Sequence, residues 1–484
     1  MENSGLIKAL KTFSKNEIKE FGRYVDSPFH NGRKELSKFY GIIKKHYPDF
    51  RGSAMNEETL YSKLYPGKKY DERVIRRLSS FLMKLVESYL TYVGLQKDNY
   101  TLKKSFLKEA GKRNLTRVYE KQLIELEKEY SNFIPPAEEY FLRKYYIVED
   151  KLNNYLYKTK DASIADDIEN HSLYLIEFLL VQIYQSRYNL FLYEKEFQAD
   201  YSESVFMELF SQMDFQKILK KVKDKDPENY PVIAIYYYEL MALLEGNESI
   251  EIFKRLLKDN ANKFSWLEKR NFYYIFVSIC SLQIEKGEGK YKAELLNAYK
   301  EMLDLGICSD YEGGYFSAKL FRNIVAAANI AREYEWLEDF INRYSGYLAP
   351  DDKDNMYSLS MALLNYEKGE YGKTLECILN IDVELVHFKI DVRYLTVKTY
   401  YELGYYEQLL SSIDAFRHFL SNDKHISGRI VDVYSRFCSL TGRLAKIRIE
   451  KAYDRLPGIK KEILSLDNKA NSEWLMSKAN EIGE

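Results

Sequence analysis

The densest grouping of side chains suited to acid–base or metal chemistry is Asp161, Asp166, Asp167, Glu169 and His171. A calcium loop alternates its oxygen ligands and needs a glycine at its sharp turn. This run has neither, and reads instead as the charged end of a helix. The six histidines, His30, His46, His171, His387, His418 and His425, are scattered along the chain. His418 and His425 share a helix face at a spacing of seven, but no carboxylate or cysteine stands at a ligand-like distance from them, and H-E-x-x-H does not occur. Gly287 to Lys290 reads GEGK, yet a phosphate-binding loop needs Ser or Thr after the lysine, and Tyr291 stands there. No G-x-S-x-G nucleophile motif is present. Cys280, Cys308, Cys377 and Cys438 are far apart and form no C-x-x-C, so reduced core thiols are expected. The expectation is a non-enzymatic chain with no catalytic, metal or cofactor-binding residue and no cofactor.

Charge is the remaining chemistry. The net charge is −1, but residues 1–115 carry 24 Lys+Arg against 13 Asp+Glu, and residues 424–461 carry 10 against 3. The stretch between them is strongly acidic. Such asymmetry suits an anionic partner at the ends, or acidic and basic segments that complement each other within the fold. The sharpest basic feature follows Asp71, a helix cap. At about 100° per residue Arg73, Arg76, Arg77 and Lys84 fall in a roughly 100°-wide stripe. Lys68 and Lys69 extend it from the preceding turn, while Val74, Leu78, Phe81, Leu82 and Leu85 lie opposite. These six basic residues are the candidate partner-binding set. The PGKKYD connection loosely resembles a helix-turn-helix, though its turn is longer than the usual three or four residues.

The elements that position these groups are helices. Only 9 prolines and 22 glycines occur in 484 residues, which favours helix throughout. Forty-four tyrosines suit shallow helix–helix packing, where the ring is buried and the hydroxyl reaches a polar partner. Ser14 and Glu17 form a capping box with Phe13 and Ile18 as its staple. Asn31, Asn56 and Asp71 cap three further helices, and residues 1–95 read as a compact module. The region from Ser163 to Phe197 is one very long helix or two.

One pattern is written twice. NYEKGEYGKTLECIL begins at Asn365 and TYYELGYYEQLLSSI at Thr399, so Gly369 aligns with Gly404 and Tyr371 with Tyr406, 35 residues apart. Leu375 and Leu410 are expected at matching core positions. The spacing is close to the length of about 34 typical of helix–turn–helix repeats. Weaker echoes place turns at Gly246, Gly287, Arg332 and Gly442. The pair resembles tetratricopeptide repeats, with Thr374 or Leu409 at the small position and Ile378 or Ile413 at the deeper aromatic one. These departures imply a looser, irregular TPR-like α-solenoid.

The whole chain also resembles a group of uncharacterised bacterial proteins of similar length. The resemblance rests on L-x-x-F-S-x-x-E-x-x-x-F with Ser27–Asn31 (SPFHN), the stretch from Tyr299 to Ile307, Glu335–Ile341 (EWLEDFI) and Asp414–Leu420 (DAFRHFL). It carries no known chemistry. The organisation expected is a basic helical module over 1–115, an acidic helical-repeat region over 116–423 and a helical cap over 424–484, in an all-α fold. The N-terminus lacks the apolar run of a signal peptide, and no window is long and apolar enough for a bilayer. A cytoplasmic protein-interaction scaffold with a protein or peptide partner is the expected function. Nucleic-acid binding through the basic module is the alternative; the oligomeric state is open.

Overall fold

The computed structural model describes residues 1–2, 4–132, 137–155, 164–197, 199–246, 248–381, 386–423, 426–466 and 469–483. These form an all-α fold. No strand occurs among the described residues, only isolated bridges from Phe316 to Ser309 and Leu348. Two compact units form, one from residues 1–133 with 153–157, the other from 134–152 with 158–484. The charge boundary after residue 115 therefore falls inside the first unit.

In the first unit, α1 (Gly5–Lys11), α2 (Lys15–Asp26), α3 (Lys34–Ile43), α4 (Glu57–Leu64) and α5 (Glu72–Lys97) close around one core. Ser14 and Glu17 exchange both capping-box hydrogen bonds at the start of α2. Phe13 and Ile18 are buried beside them. Phe21 meets Tyr40 edge-on at 4.9 Å, and the Tyr40 hydroxyl donates to the Ile18 carbonyl at 2.7 Å. Asn56 and Asp71 cap α4 and α5 as the sequence predicts. Asn31 does not cap α3. Arg33 holds that position with no side-chain cap, and the Asn31 amide donates instead to the Val25 and Arg33 carbonyls. A side-chain turn has displaced the expected cap. The pair α6 (Asn99–Lys112) and α7 (Thr116–Asn132) completes the unit.

The second unit opens with α8 (Ala137–Tyr155) and α9 (Ile164–Phe197), a single 34-residue helix. Then come α10 (Val205–Gln212), α11 (Phe215–Lys225), α12 (Tyr230–Leu244), α13 (Glu248–Asp259), α14 (Trp266–Glu285) and α15 (Tyr291–Asp304). These are followed by α16 (Ala318–Ala331), α17 (Tyr334–Tyr344), α18 (Pro350–Glu367), α19 (Tyr371–Leu379), α20 (Val386–Glu402) and α21 (Tyr406–Asn422). Three more, α22 (Gly428–Glu450), α23 (Leu456–Leu464) and α24 (Lys469–Gly483), end the chain. Each helix from α12 to α22 packs on its successor, and α12 on α14, α16 on α18, α18 on α20 and α20 on α22.

The turns explain this regularity. Gly369 and Gly404 end α18 and α20 at φ +76° and +73°. In each, the glycine N–H reaches back three residues, to Tyr366 or Tyr401. The next N–H reaches back five, from Glu370 to Asn365 or from Tyr405 to Tyr400. This closes the last carbonyls in a left-handed cap that glycine adopts without a Cβ penalty. Gly287 repeats both bonds, and so does Arg332 at φ +60°, where no glycine is present.

Gly442 is not a turn. It lies inside α22, where a Cβ would touch Ile413 Cδ1 at 3.5 Å. The left-handed residue that ends α22 is Lys451, at φ +56°, followed by the Ala452 to Ile447 bond. A sequence search keyed on glycine finds the wrong residue. Pro457 sits in the first turn of α23, where its missing N–H is no loss.

Candidate binding sites

Asp71 accepts from the Arg73 N–H at 2.9 Å and so sets where α5 begins. Leu78, Leu82 and Leu85 enter the core with Ile75 and Val86, and Val74 and Phe81 pack against it. That registration leaves Lys68, Lys69, Arg73, Arg76, Arg77 and Lys84 exposed. Arg76 pairs with Glu72 one turn back, and the Lys68 ammonium lies 5.6 Å from the Tyr65 ring. Among the described residues Lys69, Arg73, Arg77 and Lys84 form no ion pair. An exposed pair such as Arg76–Glu72 is worth at most about 1 kcal/mol.

The acidic grouping around His171 is dispersed. Asp161 lies outside the described residues. Asp167 pairs with Lys151 at 3.2 Å and Glu169 with Lys225 at 2.5 Å, so they serve contacts to different helices. Asp166 is exposed. His171 stacks on Tyr145 with ring centroids 4.2 Å apart. His425 and the side chain of His387 also lie outside the described residues. No group of three His, Cys, Asp or Glu side chains able to hold a metal occurs among the described residues. The four thiols are free, and burial pushes Cys280, Cys308 and Cys438 up to about 12.

Three polar features of the second unit carry no motif in the sequence. The first is a cleft of about 310 Å³ between α8, α9, α12 and α14. Tyr184 and Tyr188 face it from α9, Tyr236 and Glu239 from α12, Glu268 and Phe272 from α14. Spacings of three and four along each helix bring these pairs to one face. Glu268 is fully engaged. One oxygen accepts from the Ala137 N–H at 2.7 Å and the Tyr236 hydroxyl at 2.9 Å. The other accepts from the Ser265 N–H and hydroxyl, the capping box of α14. Glu239 has no hydrogen-bond partner among the described residues, although it is only 6% exposed. Burial alone pushes its carboxyl up to about 8. The Tyr184 hydroxyl, in a residue 1% exposed, is likewise unpartnered. A signal was available. Glu239 is the sole charged residue in α12, the otherwise uncharged YPVIAIYYYELMALL.

The second is a polar network that fastens α24 onto α18 and α20. Glu402 accepts from the Tyr366 hydroxyl at 3.1 Å and the Trp474 indole N–H at 2.9 Å, and pairs with Lys478 at 2.8 Å. The Lys398 ammonium sits 4.4 Å from the Tyr366 ring, 5.4 Å from Tyr394 and 5.5 Å from Trp474. Burial draws that lysine down to about 8.

The third is a groove of about 340 Å³ along α20 and α21. Lys389, Val392, Arg393 and Thr396 recur at helical spacing on α20, and Ser412 and Ala415 face them from α21. Arg393 lies 4.8 Å from the Phe419 ring. Neither cation forms an ion pair among the described residues.

No described helix is long and apolar enough to cross a membrane. Comparison with protein-family models, with curated proteins and with solved structures finds no match.

Proposed function

We propose that the chain is a non-enzymatic protein-interaction scaffold, an irregular TPR-like α-solenoid in its second unit that holds a protein or peptide segment along its repeat surface. The observation that carries this reading is the recurrence of one helix–turn–helix unit. The caps at Gly369 and Gly404 share the same three-back and five-back hydrogen bonds, each helix from α12 to α22 packs on its successor, and α16, α18, α20 and α22 also pack in sequence on one another. Stacked units of this kind present extended surfaces, and that link from fold to function is an analogy. The groove on α20 and α21 supports it locally. Two unpaired cations and the Thr396 and Ser412 hydroxyls line an open depression suited to a carboxylate-bearing peptide.

The test is affinity purification of the full-length chain from its native cell, in low and high salt, beside the double variant Lys389→Glu/Arg393→Glu. A partner protein enriched by the wild type and lost from the variant supports the reading. A chain that recovers no protein, or the same proteins with both cations reversed, argues against it.

A second reading has its own observation. Lys69, Arg73, Arg77 and Lys84 are exposed and form no ion pair among the described residues, which leaves them available to neutralise phosphates. Binding of nucleic acid by the first unit is the alternative function.

A further inference from the structure

We propose that the cleft beside Glu239 is a binding site for an organic cation, a primary ammonium or a guanidinium. The Glu239 carboxylate is its counter-ion and the neighbouring aromatic rings are its walls. Such a group would bind whether or not the repeat surface carries protein partners.

Among the described residues the cleft has three carboxyls in its wall, Glu138, Glu239 and Glu268, and no lysine or arginine. They are not equivalent. Glu268 spends both oxygens on four protein donors. Glu138 is exposed at the rim and accepts from Gln182 at 3.3 Å. Glu239 alone is mostly buried, 6% exposed, with no hydrogen-bond partner among the described residues. A buried polar group left without a partner is costly, and such groups call for a ligand, an ion or water. The Tyr184 ring belongs to the same wall, and its hydroxyl, buried behind it, has no hydrogen-bond partner among the described residues.

The walls favour a cation over a neutral donor. Tyr184, Tyr188, Tyr236 and Phe272 supply rings whose faces attract ammonium and guanidinium groups. The side-chain amides of Gln185, Asn189 and Asn271 add acceptors for the remaining N–H groups. The volume, about 310 Å³, is at the lower end for small-molecule pockets of roughly 300–1,000 Å³, which suits one side-chain-sized guest.

Binding has a proton signature. The groups facing Glu239 are Tyr188 from α9, Tyr236 on its own helix, Glu268 from α14 and Glu138 from α8. None brings a positive charge, so the empty site keeps the carboxyl protonated near neutral pH. Tyr188 is pushed up to about 12 by burial and by Glu239, and stays a neutral donor. An entering cation supplies the missing charge, Glu239 ionises, and its proton leaves to the buffer.

Calorimetry on the full-length chain tests this, with n-butylammonium and methylguanidinium as probes and n-butanol as the neutral control. Titrations at pH 7 in two buffers of different ionisation enthalpy count the protons released. The capped tripeptides acetyl-Gly-Lys-Gly-amide and acetyl-Gly-Arg-Gly-amide form the second arm. Saturable binding of a cation about tenfold or more tighter than n-butanol, with release approaching one proton, is expected. Release should vanish above about pH 9, where Glu239 is already ionised. Glu239→Gln should weaken the cation about tenfold or more and abolish proton release. Tighter binding of the peptides identifies a protein side chain as the guest, and tighter binding of the free amines a small-molecule amine. Equal affinity for n-butanol, absence of binding, or binding with no proton released overturns the proposal. Should Glu239→Gln fail to fold, proton release by the wild-type chain decides the matter alone.

Discussion

Tyr366 and Tyr401 stand 35 residues apart, and each packs against the tyrosine that opens the helix after its own. Tyr366 meets Tyr371 at 5.3 Å between centroids, and Tyr401 meets Tyr406 at 6.3 Å. Between the members of each pair lies the same left-handed cap. One local solution to joining two helices is therefore used twice, and the side chains beneath it follow. Thr374 and Leu409 are both fully buried, and Ile378 and Ile413 lie one turn deeper, also buried.

Leu409, not Leu410, is then the core position of its helix. Leu375 and Leu410 correspond to each other, as their spacing implies, but both are half-buried. Leu409→Ala should cost about 2–5 kcal/mol in urea unfolding, as expected for a leucine removed from a closed core. Leu410→Ala should cost clearly less. Equal losses would show that the two faces of α21 are not distinguished by packing.

The left-handed caps make a prediction of opposite sign at different residues. Arg332 holds φ +60° with a Cβ that crowds the following carbonyl, so Arg332→Gly should stabilise the chain by about 0.5–1 kcal/mol. Gly404→Ala should destabilise it by about 1–2 kcal/mol for the same reason. Thermal unfolding of both variants is the measurement. A loss of stability in Arg332→Gly would mean that its side chain contributes more than the strain it carries.

Glu177 gives a pH prediction. It is completely buried, neither carboxyl oxygen has a hydrogen-bond partner among the described residues, and burial pushes it up to about 9. Asp226 adds to the rise and Lys144 opposes it. The folded chain therefore keeps a proton that the unfolded chain releases. This contribution to stability is fully present below about pH 4.5, declines as pH rises, and is gone above about pH 9. Glu177→Gln should remove that decline, raising stability at pH 7 by about 2–4 kcal/mol. A stability curve over pH 4 to 10 with the same slope in wild type and variant would contradict the assignment.

The basic stripe on α5 is tested with labelled duplex DNA and the full-length chain. If the nucleic-acid reading holds, binding weakens steeply with salt, and Arg73→Glu/Arg77→Glu lowers the log–log slope by about 1 for each phosphate that is no longer neutralised. DNA binding that is absent, or unchanged by the reversals, would leave the stripe as solvated surface.

How much of this was legible depended on whether the signal was local. The capping box at Ser14 and Glu17, the caps at Asn56 and Asp71, and the paired turns at Gly369 and Gly404 are set by residues a few positions apart, and these could be read directly. Arg332 was found because a tyrosine two positions on marked the turn. Lys451 carries the same mark, with Tyr453 two positions on, but Gly442, a small residue at a close helix approach, falls nearer the repeat spacing and draws the turn assignment away from it. The cleft beside Glu239 could not be assembled from spacing, since its walls come from four helices between residues 138 and 275. Only the oddity of one carboxyl in an uncharged helix pointed to it. The Glu402–Trp474–Lys478 network was hidden for the same reason, because α20 and α24 meet only in space.

Hydrogen exchange on Leu409→Ala tests most directly whether the second unit is a chain of repeated helix pairs. In a quasi-one-dimensional array each unit is held by its neighbours, so damage stays near its origin. Protection should fall in α20, α21 and α22 and in the adjoining α18, while α9, α12 and α14 keep their wild-type exchange rates. An equal loss of protection from α9 to α24 would contradict the repeat account, since it would mean one cooperative core.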